Sequence, residues 1–144
     1  MARNQRYVDA PPERVFAVLA DPRCYPEWVV GAKEIRASDP GFPGAGTRFH
    51  HSVGVGPLAV RDHTAVLASD PPRSLTLEAH ARPLGSATVR LELEPRRGGT
   101  RVTMIEDPSG CTTPLKYLPT THLFARMRNF ESLRRLQALV ERRR

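Results

Sequence analysis

Proline and glycine interrupt this chain at short intervals, and that punctuation restricts its fold more than any other feature. Connections this short join antiparallel strands, because a parallel crossover needs about a dozen residues or more. In one segment, 86–94, apolar and polar residues alternate, as in a strand with one buried face. The sequence therefore predicts an antiparallel sheet whose main strands are the segments 47–53, 58–68, 74–82, 86–94 and 100–106.

The remaining elements lie on either side of these strands. Proline suits the first turn of a helix, where its missing N–H would have no partner, so two short helices are predicted early in the chain. Over 121–142, apolar residues at helical spacing predict a terminal helix of about 33 Å, and this stripe consists of Leu123, Met127, Phe130, Leu133, Leu136 and Val140. The other predicted elements are a strand over 3–9, a helix from Pro11 to Ala20, a helix from Asp21 to Gly31, a strand over 34–37, and loops over 39–46 and 107–120.

The charge and the distribution of arginines bear on whether the protein binds nucleic acid. The formal net charge of +7 is compatible with a nucleic-acid partner, but the arginines are spread along the chain without interleaved aromatic residues. The dense run Arg142-Arg143-Arg144 lies at the end of the terminal helix, where cations complement the helix dipole. The sequence therefore predicts no nucleic-acid partner.

The length of 144 residues fits one domain over 1–144. No membrane-spanning run and no secretory signal are visible, which predicts a cytoplasmic protein, as a monomer or a homodimer. Cys24 and Cys111 lack the spacing of a metal site or a disulfide framework and are expected to be reduced. No cofactor motif appears, and His50 and His51 would point to opposite faces of a strand, so no metal site and no cofactor are predicted.

Several local motifs resemble the START-like superfamily, also called the helix-grip or SRPBCC fold, and within it the polyketide cyclase/dehydrase and lipid-transport branch. These motifs are Val8–Phe16, Leu19–Pro22, Tyr25–Trp28, Asp70–Leu75, Gly99–Thr103 and Glu131–Leu136. The resemblance implies an α+β fold in which a curved antiparallel sheet of about seven strands wraps round the long C-terminal helix, with two short helices between strands 1 and 2. It also implies a deep cavity between sheet and helix, which members use for lipids, sterols, polyketides or plant hormones.

Strand alternation selects the side chains expected to face this cavity. Most of these inward-facing side chains are aliphatic, so they are compatible both with an open cavity and with a largely filled interior. The predicted ligand-binding residues are Trp28, Phe49, His51, Val60, Asp62, Thr64, Leu77, Leu91, Met104, Glu106, Met127 and Phe130.

The polar members of this set are the candidates for chemistry. If the hairpin pairs Val53 with Leu58, His51 opposes Val60 and Asp62 lies diagonally beside it. Such a pair could orient a carbonyl group or move a proton, with Glu106 as a third candidate near the cavity mouth. The alternative, that these side chains face water, stays open. Tyr25 and Tyr117 are possible hydroxyl donors at the rim.

Three functions follow from these expectations. The first is binding, as a carrier or sensor, of a hydrophobic or aromatic small molecule such as a lipid or polyketide. The second is an enzyme of the polyketide aromatase/cyclase type, with His51, Asp62 and Glu106 as catalytic candidates. The third is a module that binds a protein partner or a lipid carrier.

Overall fold

A computed structural model of the chain describes residues 2–55, 58–80, 86–109 and 119–143. In these residues one antiparallel sheet runs in the order β1-β7-β6-β5-β4-β3-β2, so that β1 and β2 are the edges. The strands are β1 (Ala2–Val8), β2 (Ala32–Ser38), β3 (Arg48–Val55), β4 (Leu58–Asp70), β5 (Ser74–His80), β6 (Ser86–Arg96) and β7 (Gly99–Ser109).

The helices fall where proline and the apolar stripe predict them. They are α1 (Pro12–Leu19), α2 (Tyr25–Trp28), which follows a 3-10 turn at Pro22–Cys24, and the terminal helix α3 (Pro119–Arg142). The side chain of Asp21 accepts a hydrogen bond from the Arg23 backbone N–H and caps that 3-10 turn. The predicted α+β architecture, a curved antiparallel sheet with a long C-terminal helix, is therefore confirmed.

The strand β6 is longer than predicted, because Pro95 belongs to the strand and not to the turn. The backbone N–H of Leu93 donates a hydrogen bond to the Arg73 carbonyl. Residues two apart on a strand have the same orientation, so the nitrogen of Pro95 points to the same edge of β6 as that N–H. The pairing with β5 stops opposite Glu92, and no strand partner needs the missing N–H of Pro95. The turn itself is Arg97-Gly98, and both residues have positive φ as a two-residue hairpin requires.

The hairpin of β3 and β4 has a different register from the predicted one. Val53 pairs with Val60 instead of Leu58, and Leu58 pairs with Val55. At this end β3 continues two residues further than predicted, to Val55, whereas β4 begins at Leu58 as predicted. Since the shift is even, the described side chains of the hairpin keep their predicted faces, but His51 now lies directly opposite Asp62.

The helix α3 packs with its C-terminal half against the sheet and α2, burying Leu133, Leu136, Leu139 and Val140. The predicted stripe was wrong for the N-terminal half, where Leu123, Met127 and Phe130 are exposed. Near the middle of α3, two inward positions are occupied by polar residues, Asn129 and Ser132, both fully buried. The apolar residues of this half therefore lie on the face of α3 that points away from the sheet. No helix in the described part of the chain is long and apolar enough to cross a membrane.

The orientation of α3 predicts unequal costs of substitution along one helix. Leu136→Ala should lower the free energy of unfolding by about 2–5 kcal/mol, because it leaves a cavity under a fully buried side chain. Leu123→Ala, the matched control on the outer face, should change it by about 0.5 kcal/mol or less. Urea denaturation measures both, and equal losses would show that α3 is packed by the other face.

Candidate functional site

The centre of the candidate site is a cross-strand group on the inner face of β3 and β4. His51 and Asp62 are paired across the hairpin, and Thr64 follows Asp62 on the same face. All three side chains are buried. The Nε2 of His51 lies 2.9 Å from the Thr64 hydroxyl, which fixes the plane of the imidazole.

Burial dominates the electrostatics of His51. Desolvation lowers its pKa below the ordinary value, and a contact with the His63 backbone and the nearby Asp62 carboxylate only partly oppose that effect. The imidazole is therefore neutral at physiological pH. A neutral imidazole presents one N–H and one lone pair, so it can donate to or accept from a bound molecule.

The Asp62 carboxylate also contacts the next residue of its own strand. Its Oδ1 accepts a hydrogen bond of 2.9 Å from the His63 backbone N–H and lies 3.3 Å from Nδ1 of the His63 ring. Arg36, from the edge strand β2, donates to the backbone carbonyls of His51 and Asp62 at 3.3 and 3.2 Å. The sequence carried no signal for Arg36, because it depends on the bulged pairing of β2 with β3.

A run of aromatic rings extends from this group to α2. The ring centroids lie 5.6 Å apart for Phe49 and His51, 4.8 Å for Tyr25 and Phe49, and 5.1 Å for Tyr25 and Trp28. Phe42 contacts Phe49 from the side, at 5.3 Å. The predicted residues Trp28, Phe49 and His51 thus form one aromatic wall, which we define as these three with Tyr25 and Phe42.

Two polar atoms of the aromatic wall are buried without a hydrogen-bond partner among the described residues. They are Nδ1 of His51 and Nε1 of Trp28. The residues themselves are 4% and 1% exposed. An unsatisfied buried polar group costs about 1–3 kcal/mol, so each atom is a place where a ligand's polar group would gain a hydrogen bond.

Tyr25 does not serve as the rim hydroxyl that the sequence suggested. It is buried, and its hydroxyl donates a hydrogen bond of 2.7 Å to the Leu19 carbonyl at the end of α1. Burial raises the pKa of Tyr25 far above its ordinary value, so the phenol stays protonated. Its role is to hold α1 and α2 together. Tyr117 and Cys111 lie outside the described residues.

A second polar group joins β7 to α3. The Glu106 carboxylate accepts hydrogen bonds from Arg128 and, at 2.8 Å, from the side-chain amide of Asn129. Asn129 is fully buried and Glu106 nearly so. The sequence prediction included Glu106 but missed Asn129 and Arg128, because both were hidden within an apolar stripe. Glu106 is therefore a paired carboxylate that holds the helix, with its negative charge offset by an arginine.

The other predicted residues divide into three groups. Leu77, Leu91 and Met104 are buried and continue the inner face across β5, β6 and β7. The backbone of Val60 lies in β4, but its side chain is outside the described residues. Met127 and Phe130 were expected to face the cavity and are instead exposed on the outer face of α3.

The convex face of the sheet carries a row of histidines that their spacing did not reveal. His50 pairs with His63, and their ring centroids are 6.1 Å apart, while His80 on β5 lies 4.6 Å from His63. His80 also contacts Glu78 at 2.8 Å. Among the residues that the structure describes, no three histidine, cysteine or acidic side chains are arranged to hold a metal ion.

Two surface clefts lie apart from the aromatic wall. One, of about 390 Å³, is lined by Asp9, Ala10, Pro11, Arg14 and Gly98. The other, of about 170 Å³, adjoins it and is lined by Arg14, Ala17, Val18, Val140 and Arg143. Neither contains a residue of the predicted site. Residues 56–57, 81–85 and 110–118, which follow the ends of β3, β5 and β7, are outside the described residues.

Solved structures share this architecture, a curved sheet closed by a terminal helix. Protein MLL2253 from Mesorhizobium loti is 25% identical, with 98% of this chain and 96% of that chain covered and a TM-score of 0.70. TTHA0849 from Thermus thermophilus is 22% identical over 96% and 95%, with a TM-score of 0.71. The di-domain ARO/CYC StfQ from the steffimycin biosynthetic pathway is 16% identical over 98% of this chain and 50% of that chain, with a TM-score of 0.71.

The sequence itself matches the family described as polyketide cyclase / dehydrase and lipid transport, over residues 2–141. The chain belongs to this family, as its local motifs indicated. No curated protein is significantly similar to it. The family relationship accounts for the fold and is consistent with ligand binding.

The lowered pKa of His51 predicts a pH dependence of stability. The unfolded chain binds a proton near the ordinary pKa of 6.5, whereas the folded state resists it. The stability contributed by neutral His51 is therefore complete above that pH and is lost progressively as the pH falls below it. His51→Gln, which can still contact Thr64, should lose less stability than wild type between pH 7.5 and 5.

Thermal denaturation at a series of pH values measures this difference. The matched control is His50→Gln, which removes the adjacent histidine on the opposite face and leaves His51 in place. Parallel pH profiles for wild type and His51→Gln would contradict the burial of a neutral imidazole.

Proposed function

We propose that this protein binds a hydrophobic aromatic small molecule between the inner face of the sheet and α3. The observation that carries the proposal is the pair of unpartnered polar atoms, Nδ1 of His51 and Nε1 of Trp28, within an otherwise apolar aromatic wall. Binding sites for small molecules combine apolar surface with a few convergent polar groups in this way. Apolar burial supplies the affinity and the two nitrogens fix the orientation.

The charges of the inner face favour an uncharged ligand. His51 is neutral, the Glu106 carboxylate is paired with Arg128, and the Asp62 carboxylate accepts a hydrogen bond from the His63 backbone N–H. Trp28 can only donate a hydrogen bond, so the ligand must present an acceptor such as a carbonyl or hydroxyl oxygen. Flat rings suit the wall because aromatic pairs gain about 0.5–1.5 kcal/mol beyond the area that they bury.

The binding proposal predicts a preference for a polar aromatic probe over its apolar parent. Wild type should bind 2-naphthol more tightly than naphthalene, because the hydroxyl forms a hydrogen bond with Nδ1 of His51. His51→Leu should reduce the affinity for 2-naphthol about fivefold, the value of one hydrogen bond, and leave that for naphthalene nearly unchanged. Equilibrium dialysis measures both affinities.

The matched control is His50→Leu, since His50 is adjacent in sequence and lies on the opposite face of β3. It should bind both probes as wild type does. Failure of wild type to bind either probe, or an unchanged preference in His51→Leu, would refute an inner-face aromatic site.

A second function, an aromatase/cyclase-type enzyme, is favoured by one observation. His51 and Asp62 are directly opposed, closer in register than the sequence predicted, and Thr64 orients the imidazole. An imidazole with a neighbouring carboxylate can shuttle a proton while the inner face holds a flexible poly-β-ketone chain near its cyclised geometry. The likeness to the ARO/CYC StfQ, at low identity, supports the fold that such a reaction uses.

This alternative predicts that turnover depends on the pair. On a poly-β-ketone substrate, His51→Ala and Asp62→Ala should each lower the rate of cyclisation by about 100-fold or more, as loss of general acid–base catalysis does. His50→Ala should have no such effect. Chromatography of the cyclised products measures the rate, and a product distribution equal to the spontaneous one in wild type would leave binding as the function.

A further inference from the structure

The N-terminal half of α3 presents its apolar side chains to solvent. Leu123, Phe124, Met127 and Phe130 are 57–68% exposed, and we call these four the outer ridge. Elsewhere in the described part of the chain, only Tyr7 and Leu67 are large apolar residues with comparable exposure. Exposed apolar residues that occur singly are ordinary, but a contiguous group of four on one helix marks an interaction surface.

Hydrogen bonds hold the outer ridge in this orientation. On the opposite side of α3, Asn129 is bonded to Glu106, and the Ser132 hydroxyl accepts a bond of 3.0 Å from the Val30 backbone N–H. The side-chain amide of Asn4 donates to the Arg126 carbonyl at 3.0 Å. Turning the helix to bury the ridge would break these bonds and leave buried polar groups unsatisfied.

The charges around the outer ridge are positive. The helix has no acidic residue before Glu131, which is bound by Arg134 and Arg135. Arg126 lies exposed within the ridge, and the Arg6 guanidinium lies 5.5 Å from the centre of the Phe130 ring. The surface is thus an apolar strip with arginines beside it.

The combination of apolar residues and arginines indicates which kind of partner the outer ridge binds. A second copy docked by the same surface would bring arginines against arginines, which like-charge repulsion disfavours. The ridge offers apolar area and cations and few directional polar groups, which fits a fluid surface better than a specific protein. Helices with an apolar face and flanking arginines lie in the boundary of anionic bilayers.

We propose that the outer ridge docks this protein on an anionic lipid membrane, with the four apolar side chains in the headgroup boundary and Arg126 and Arg6 beside lipid phosphates. Docking by the outer face of α3 does not require a ligand on its inner face. The two proposals can therefore fail separately.

Flotation with lipid vesicles tests the docking. At 0.1 M NaCl, wild type should bind vesicles of phosphatidylcholine and phosphatidylglycerol, 7:3, at least about tenfold more than pure phosphatidylcholine. Phe124→Ser/Met127→Ser should reduce binding to the anionic vesicles at least about tenfold. Arg126→Gln should reduce it roughly fivefold, the contribution of one cation near the surface.

The matched control is Leu67→Ser, which removes an exposed apolar residue of β4 and should bind as wild type does. Circular dichroism checks the fold, and Arg126→Gln keeps the test decisive if the double variant does not fold. The proposal is overturned if wild type stays in the bottom fraction without the vesicles. It is also overturned if the ridge variants float with the anionic vesicles as much as wild type does. The proposal is also overturned if the ridge is needed for a dimer, or for a complex with an acidic protein, and the protein does not bind vesicles.

The 2-naphthol affinity of the ridge variants separates the two proposals. Since the ridge is outside the aromatic wall, Phe124→Ser/Met127→Ser should bind the probe with wild-type affinity in solution. Loss of vesicle binding with retained probe binding is the result expected if both proposals hold.

Discussion

The packing of α3 against the sheet is the interaction on which the rest of this structure depends. Its C-terminal half is fixed by ordinary apolar burial, around Leu133 and Leu136. Its N-terminal half is fixed by polar bonds instead, chiefly that of Asn129 to Glu106. Because the two halves are joined in one rigid rod, the apolar contact at one end decides which residues face inward at the other. The positions of the candidate site on the inner face and of the outer ridge are both consequences of that one orientation.

Burying polar groups on the inner face costs free energy unless they form hydrogen bonds. The groups that have partners within the chain are therefore structural. The Glu106 carboxylate accepts hydrogen bonds from Arg128 and Asn129, and the Tyr25 hydroxyl donates one to the Leu19 carbonyl. These hydrogen bonds hold neighbouring elements together. His51 and Trp28 each keep a nitrogen without a partner among the described residues. Stability alone would favour apolar residues there, since each unsatisfied group costs about 1–3 kcal/mol. That cost is consistent with a site whose polar partner arrives with a ligand.

The fold could be predicted because its signals are local. Turn residues separate the strands, prolines begin the short helices, and alternation in 86–94 gives the buried face of β6. The direct pairing of His51 with Asp62 could not be predicted, since register depends on where strands end and a glycine such as Gly54 is typical of a turn, although here it pairs with Ala59. The facing of Met127 and Phe130 failed for another reason. An apolar stripe predicts the inner face only where apolar residues are buried, and here two polar residues, Asn129 and Ser132, are buried in their place.

The reversed half of α3 is also the strongest energetic argument that its outer face is used. Fully burying a large apolar side chain contributes about 1.5–3 kcal/mol, and four such side chains remain largely exposed in a molecule whose whole stability is of the order of 5–15 kcal/mol. Exchanging the inner and outer residues would bury Phe130 and Met127 and free Asn129 for water. A chain shaped only by folding stability would favour that exchange. The polar residues inside are satisfied by this chain, through Glu106 and the Val30 N–H. The apolar residues outside have no such partner among the described residues, which is consistent with the proposal that they meet a surface other than this chain.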